Sequence, residues 1–154
     1  LQDRFGLSVD VRTPRDVATR VNIIRSREAF DQDRSVFRKK WARKESALRR
    51  KIQTARDALD TIDTPAVLLE TAAKLCLALG TDGLRGELTL VRSARALAAF
   101  EGKAAVTLDH LKIIAPSVLR HRLRRDPLDE SSADIRVERV ITELFTNNDD
   151  DGAN

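Results

Sequence analysis

The run Gly80-Thr81-Asp82-Gly83-Leu84-Arg85-Gly86-Glu87 puts an arginine directly behind a turn, in the first turn of a helical repeat of apolar residues. A cation there opposes the helix dipole, at a local cost of a few tenths of a kcal/mol to about 1. Free backbone N–H groups at the same terminus attract phosphate. Arg85 is therefore read in two ways: it meets an anion such as a polyphosphate, or it forms a salt bridge with Glu87 or Asp82, which composition alone favours. Arg92 projects from nearly the same side with Arg95 close by, so this helix face is strongly cationic. A second oddly placed arginine is Arg4, in Asp3-Arg4-Phe5, immediately before an alternating stretch. An arginine at a strand edge can reach into a neighbouring subunit and stabilise the charge that develops on a transferring phosphoryl group.

Self-sufficient catalytic sites are missing from the sequence. It has no Gly-x-x-x-x-Gly-Lys-Ser/Thr phosphate loop, no His-Glu-x-x-His, no Cys-x-x-Cys and no Gly-x-Ser-x-Gly. His110 and His121 lack a paired ligand pattern, so no metal site is expected. Cys76, the single cysteine, lies on an apolar stripe and reads as a small buried hydrophobe rather than a nucleophile. Taken alone, these 154 residues are expected to catalyse nothing.

The elements that must position the two arginines follow from pattern and composition. Apolar residues make up 42% of the chain but aromatic ones only 4%, so any core is aliphatic, which favours packed helices over a β-sandwich or barrel. Phe5 to Val11 alternates apolar and polar and predicts one short strand, whose partners must lie elsewhere. Thr13-Pro14 predicts a helix start, with Thr13 as cap and Val17, Val21 and Ile24 at helical spacing to about Phe30. A long second helix from about Asp33 carries Phe37, Trp41, Leu48, Ile52, Ala55, Leu59 and Ile62 as an apolar stripe, with Trp41 as an anchor. Thr64-Pro65 repeats the start signal for a third helix that buries Leu68, Leu69, Ala72, Leu75, Cys76 and Leu79 and ends at Gly80. The fourth is expected to turn Leu84, Leu88, Val91, Ala94 and Leu97 or Ala98 inward and to close at Gly102. Thr107 caps a fifth, which Pro116 is expected to kink or end near Ala115. Val137, Val140, Ile141 and Leu144 mark a last helix. A strand followed by five or six helices makes the fold mainly α, since only a bundle buries all these stripes together.

Net charge is +4, and the stretch Arg34 to Lys51 sets nine basic residues against Glu45 alone. Such a face could draw nucleic acid or an acidic surface, but nucleic-acid-reading motifs and an aromatic stacking platform are absent, so it reads first as the solvated side of a long helix. No apolar stretch approaches the roughly 20 residues of a membrane span, so no membrane partner is expected. The lone cysteine points to a reducing compartment. Residues 147–154, rich in aspartate, are expected to form a disordered acidic tail. The chain begins mid-pattern without Met and is read as a piece of something longer.

Four clusters together resemble a known family: Leu1-Gln2-Asp3-Arg4-Phe5-Gly6-Leu7, Thr13-Pro14-Arg15-Asp16-Val17, Gly80 to Leu90, and His121-Arg122-Leu123-Arg124-Arg125-Asp126-Pro127-Leu128. They are similar to the small ATPase subunit, subunit I, of magnesium chelatase, an AAA+ protein of (bacterio)chlorophyll synthesis. The resemblance runs from Leu1 to about Phe145 and is loose from Asp31 to Thr64. It implies that residues 1–13 end the α/β nucleotide-binding core with its last strand and that 14–146 form the helical lid. It implies that Arg4 is the arginine finger reaching the ATP of the adjacent protomer, with Asp3 beside it at the subunit boundary. Arg85 corresponds to the sensor-2 arginine at the γ-phosphate, and Gly83 and Gly86 would let backbone approach the nucleotide. ATP and its Mg²⁺ would be bound mainly by residues ahead of Leu1. The implied partners are further copies in a ring and chelatase subunits D and H, in a bacterial cytoplasm or plastid stroma. Two other readings stand beside this one: the lid of another chelatase-like or MoxR-type ATPase, and a non-enzymatic basic helical binding module.

Overall fold

The computed structural model describes residues 5–81, 83–123 and 133–150. Six helices follow in order: α1 (Val17–Gln32), α2 (Arg34–Ala58), α3 (Ala66–Ala78), α4 (Arg85–Phe100), α5 (Leu108–Leu119) and α6 (Ala133–Asp150), with a 3-10 turn at Leu59–Thr61. The chain divides into two compact units, residues 10–54 and residues 1–9 with 55–154.

The first unit holds α1 and most of α2, which follow one another with only Asp33 between them. Asp16, not Thr13, caps α1: its carboxylate accepts from the Thr19 N–H at 2.7 Å, and hydrogen bonding from the Thr19 side chain, then from its backbone, holds its pKa below the usual value. Aspartate is at least as good a cap as threonine, and here it is the Asp16 carboxylate that meets the free N–H groups. Asp33 in turn accepts from the N–H groups of Ser35 and Val36 at the start of α2. Phe30 and Phe37 meet edge to face at 5.6 Å, and Trp41 follows Phe37 at 6.0 Å. The expected stripe is not a core, because Trp41, Leu48 and Ile52 stay exposed and Ala55 is the only buried residue of α2. α1 does not pack along α2, so nothing in this unit covers them. The basic residues of α2 are exposed, as a solvated face requires.

The second unit holds the core. Leu75, Leu90, Leu111, Val118, Leu119 and Val137 are fully buried, and Ala72, Ala94, Ala98 and Ala115 let α3, α4 and α5 approach closely. α3 ends in a Schellman motif: Gly80, at φ +64°, donates to Leu77 O, and Thr81 donates to Cys76 O. α4 closes the same way at Gly102, φ +71°, with Gly102 donating to Ala99 O and Lys103 to Ala98 O. Asp63 and Ala105 form a parallel bridge that ties the approach to α3 to the α4–α5 link. At the start of α5 a capping box pairs Thr107 with His110, whose Nδ1 accepts from the Thr107 N–H at 2.8 Å. That fixes the proton on Nε2, which faces Glu101 Oε2 at 3.2 Å.

Several expectations shift. Phe5–Val11 forms no strand, since among the described residues it has no strand to pair with; Ser8 donates instead to Ser117 O at the end of α5. Thr64 does not cap α3. Its hydroxyl accepts from Arg95 at 3.3–3.4 Å, and α3 begins with Leu68 donating to Pro65 O. Pro116 lies inside α5, which continues to Leu119 because the turn beyond it is held by its own bonds, Arg120 N–H to Pro116 O among them. Leu69, Leu84 and Leu88 are exposed rather than inward. α6 takes in residues 147–150 of the expected tail, continuing from an anchored segment at the small cost of helix propagation; residues 151–154 lie outside the described residues.

Candidate functional site

The start of α4 is fixed by the end of α3. The Schellman turn at Gly80 delivers Thr81, whose hydroxyl also donates to Cys76 O at 3.2 Å. Gly83 then takes φ +67°, a conformation that costs other residues a Cβ clash, and Arg85 opens the helix. Gly86 is buried, and a Cβ on it would lie 3.3 Å from Thr81 Oγ1 and 3.4 Å from Cys76 Sγ. Its lack of a side chain thus serves the packing of α4 on α3. The expectation that Gly86 admits a nucleotide is corrected here, because protein atoms already fill the space. At Gly83 the space is open.

This packing sets the register of α4. Gly86, Leu90, Ala94 and Ala98 face the core, so Arg85, Leu88 and Arg92 come out exposed on the other side. Arg95 is half-buried and engaged with Thr64. The sequence reading missed Leu84 and Leu88 as surface residues flanking Arg85. The signal that could have found them is the small-residue row Gly86-Leu90-Ala94-Ala98, which competes with the leucine row for the core.

Glu87 sits in the first turn, where an acid complements the dipole. Its Oε2 is buried and has no hydrogen-bond partner among the described residues. Burial, then the Glu87 charge, pushes the Cys76 thiol up to about 11, so it is protonated and unreactive at neutral pH. Arg85 is exposed at the first residue of α4, and a cation beside a helix N-terminus is a donor set that suits a phosphate. Asp82 lies outside the described residues. Among the described residues no group of three His, Cys, Asp or Glu is placed to hold a metal ion.

Arg4 and Asp3 also lie outside the described residues, but the chain right after them is held. The Phe5 carbonyl accepts from Arg122 at 2.8 Å and from His121 Nε2 at 3.0 Å. A Cβ on Gly6 would lie 3.5 Å from Thr89 Cγ2, so this segment runs against α4 one turn beyond Arg85. The structure therefore brings the stretch following Arg4 and the helix carrying Arg85 into one unit.

Residues 69–144 match the AAA lid domain family. This stretch of the second unit is thus similar to AAA lid domains. The chain is 55% identical to the magnesium-chelatase 38 kDa subunit of Acidiphilium rubrum over 146 residues, 95% of this chain and 42% of the relative. It is 56% identical to that of Cereibacter sphaeroides over 145 residues, 94% of this chain and 43% of the relative. The chloroplastic magnesium-chelatase subunit ChlI-2 of Arabidopsis thaliana is 40% identical over 146 residues, 95% of this chain and 35% of the relative. The chain thus spans about two-fifths of the length of these bacterial relatives. A solved chain from the complex between subunits BchI and BchD of magnesium chelatase shares 48% identity, covering 90% of this chain and 41% of that one, with a TM-score of 0.37. Among the described residues no helix is long and apolar enough to cross a membrane.

Proposed function

We infer that this chain is the lid part of a magnesium-chelatase ATPase subunit, a protein that couples ATP hydrolysis to insertion of Mg²⁺ into protoporphyrin IX in (bacterio)chlorophyll synthesis. The observation that carries this reading is the 55% identity to the 38 kDa subunit along 95% of the chain. The exposed guanidinium at the first residue of α4 gives it a physical basis. Arg85 would touch the terminal phosphate of ATP, and Arg4, with Asp3 beside it, would reach the ATP of a neighbouring copy in a ring. ATP with its Mg²⁺ supplies the free energy of the cycle and is held mainly by the nucleotide-binding core. Porphyrin and the inserted Mg²⁺ belong to the assembly with subunits D and H.

Arg85 can bias the lid because a contact made with ATP and absent with ADP stabilises one lid position over another, by that difference in affinity and no more. The exposed Leu84 and Leu88 flank this guanidinium and provide an apolar rim where the lid meets the core. In a full-length subunit carrying this sequence, Arg85→Ala and Arg4→Ala are each expected to lower ATP hydrolysis roughly 10³-fold or more, the scale of an arginine finger. Normal turnover in both variants, measured by phosphate release, would refute the assignment.

A further inference from the structure

Between Arg34 and Thr54, α2 carries nine basic residues and Glu45 as its only acid, yet the helix is not polar all round. Phe37, Trp41, Leu48 and Ile52 share one side: at about 100° per residue their positions fall within an arc of about 60°. Trp41, Leu48 and Ile52 are 36%, 51% and 45% exposed, so this seam keeps most of its apolar surface open, and nothing within its unit covers it. Cations border it closely. Arg38 and Arg49 flank it on one side, Lys40 and Lys44 on the other, all exposed. The Lys44 Nζ lies 4.8 Å from the centre of the Trp41 ring, so an anion that meets this ammonium sits beside the seam.

We propose that this side of α2 is a docking surface for an acidic amphipathic helix of another protein, whose apolar side chains cover Trp41, Leu48 and Ile52 while its carboxylates meet Arg38, Arg49, Lys40 and Lys44. A narrow apolar seam bordered by charge is the pattern by which one helix pairs with another: the seam supplies association, and the bordering charges choose the partner. Here the choice falls on acids. Lys40 and Lys44, four residues apart, repel one another on the free helix, and an acidic partner removes that repulsion. A second copy of α2 would instead set cation against cation along the seam. A nucleic acid would meet the cations but leave Leu48 and Ile52 without stacked bases, since neither is aromatic. A lipid surface takes up a broad apolar face, and this one is closed in by cations after about 60°. The docking is separate from the nucleotide contacts given to Arg85 and Arg4 above.

The test titrates the full-length subunit against two fluorescein-labelled helical peptides about four heptads long, with leucine at the seam positions, one flanked by glutamate and the other by lysine, and reads anisotropy. The glutamate peptide is expected to bind at least about 10-fold more tightly, by a margin that narrows as salt rises. Trp41→Ala with Leu48→Ala should weaken it about 10-fold or more while leaving the helix content unchanged, because both side chains are exposed. Changing Arg38, Arg49, Lys40 and Lys44 together to glutamate should reverse the preference toward the lysine peptide. Failure of the glutamate peptide to bind would mean that the rest of the subunit already covers the seam, and would overturn the proposal. Binding indifferent to Trp41→Ala with Leu48→Ala would overturn it too. A changed sedimentation coefficient of that variant without peptide would place a second copy on the seam instead. Tighter binding to a single-stranded oligonucleotide, or to phosphatidylcholine vesicles containing phosphatidylserine, lost on the same substitutions, would assign the surface to nucleic acid or lipid and equally overturn the proposal.

Discussion

Gly86 and Cys76 show how closely the residues behind Arg85 are fitted. A methyl group at position 86 meets Thr81 Oγ1 at 3.3 Å, and that hydroxyl is held by its bond to Cys76 O. Helix propensity favours alanine by about 0.5–1 kcal/mol, but overpacking costs about 1–3 kcal/mol. Gly86→Ala is therefore expected to destabilise the protein by about 1 kcal/mol in urea unfolding; a raised midpoint would contradict the packing role. The Cys76 thiol gives a pH signature. Its ordinary pKa is 9.0 and the folded value about 11, so from pH 9 to 11 the unfolded state releases a proton that the folded state retains. Stability should fall with rising pH across that window and be unaffected by this group below it. Comparing Cys76→Ala with the parent isolates the effect: the variant should lose that slope, and identical slopes would show that the thiol ionises freely in the folded protein.

At the scale of the element, the ends of helices carry the order. His110 serves as the capping-box partner of Thr107 and reaches Glu101 beyond α4, so one buried ring joins two helices. His110→Ala is expected to cost about 2 kcal/mol, from lost capping and lost packing, whereas His110→Gln, an ordinary capping-box residue, should recover most of it. Equal losses in both would mean that the ring acts by volume alone. The helix-ending glycines Gly80 and Gly102 and the cap Thr107 were readable in the sequence because a left-handed turn and a side-chain acceptor have few substitutes. The starts at Thr13 and Thr64 were misplaced because a Thr-Pro pair is only locally favourable: Asp16 competes for one helix, and Arg95 claims the Thr64 hydroxyl at the other. The α4 register escaped periodicity because both the leucine row and the Gly86-Leu90-Ala94-Ala98 row have helical spacing. Contact with Thr81 and Cys76 decides between them, and no single helix encodes that contact.

For the whole molecule, the placement of Arg85 at the start of α4 was legible, and so was the helical bundle around it. The attachment of Phe5 to the end of α5 was not, since it joins positions 5 and 122 and leaves no local pattern. The two units have different characters: the unit with α3 to α6 has a continuous aliphatic core, while the one with α1 and most of α2 keeps Trp41, Leu48 and Ile52 exposed. The function proposed for the lid depends on one charge distinguishing three phosphates from two. The most direct measurement is the ratio of ATP to ADP affinity in the full-length subunit, with and without Arg85→Ala, by titration of a fluorescent nucleotide and competition. The account predicts that the variant loses most of its preference for ATP while its affinity for ADP stays nearly the same. An unchanged ratio would show that Arg85 does not contact the terminal phosphate and would contradict the account.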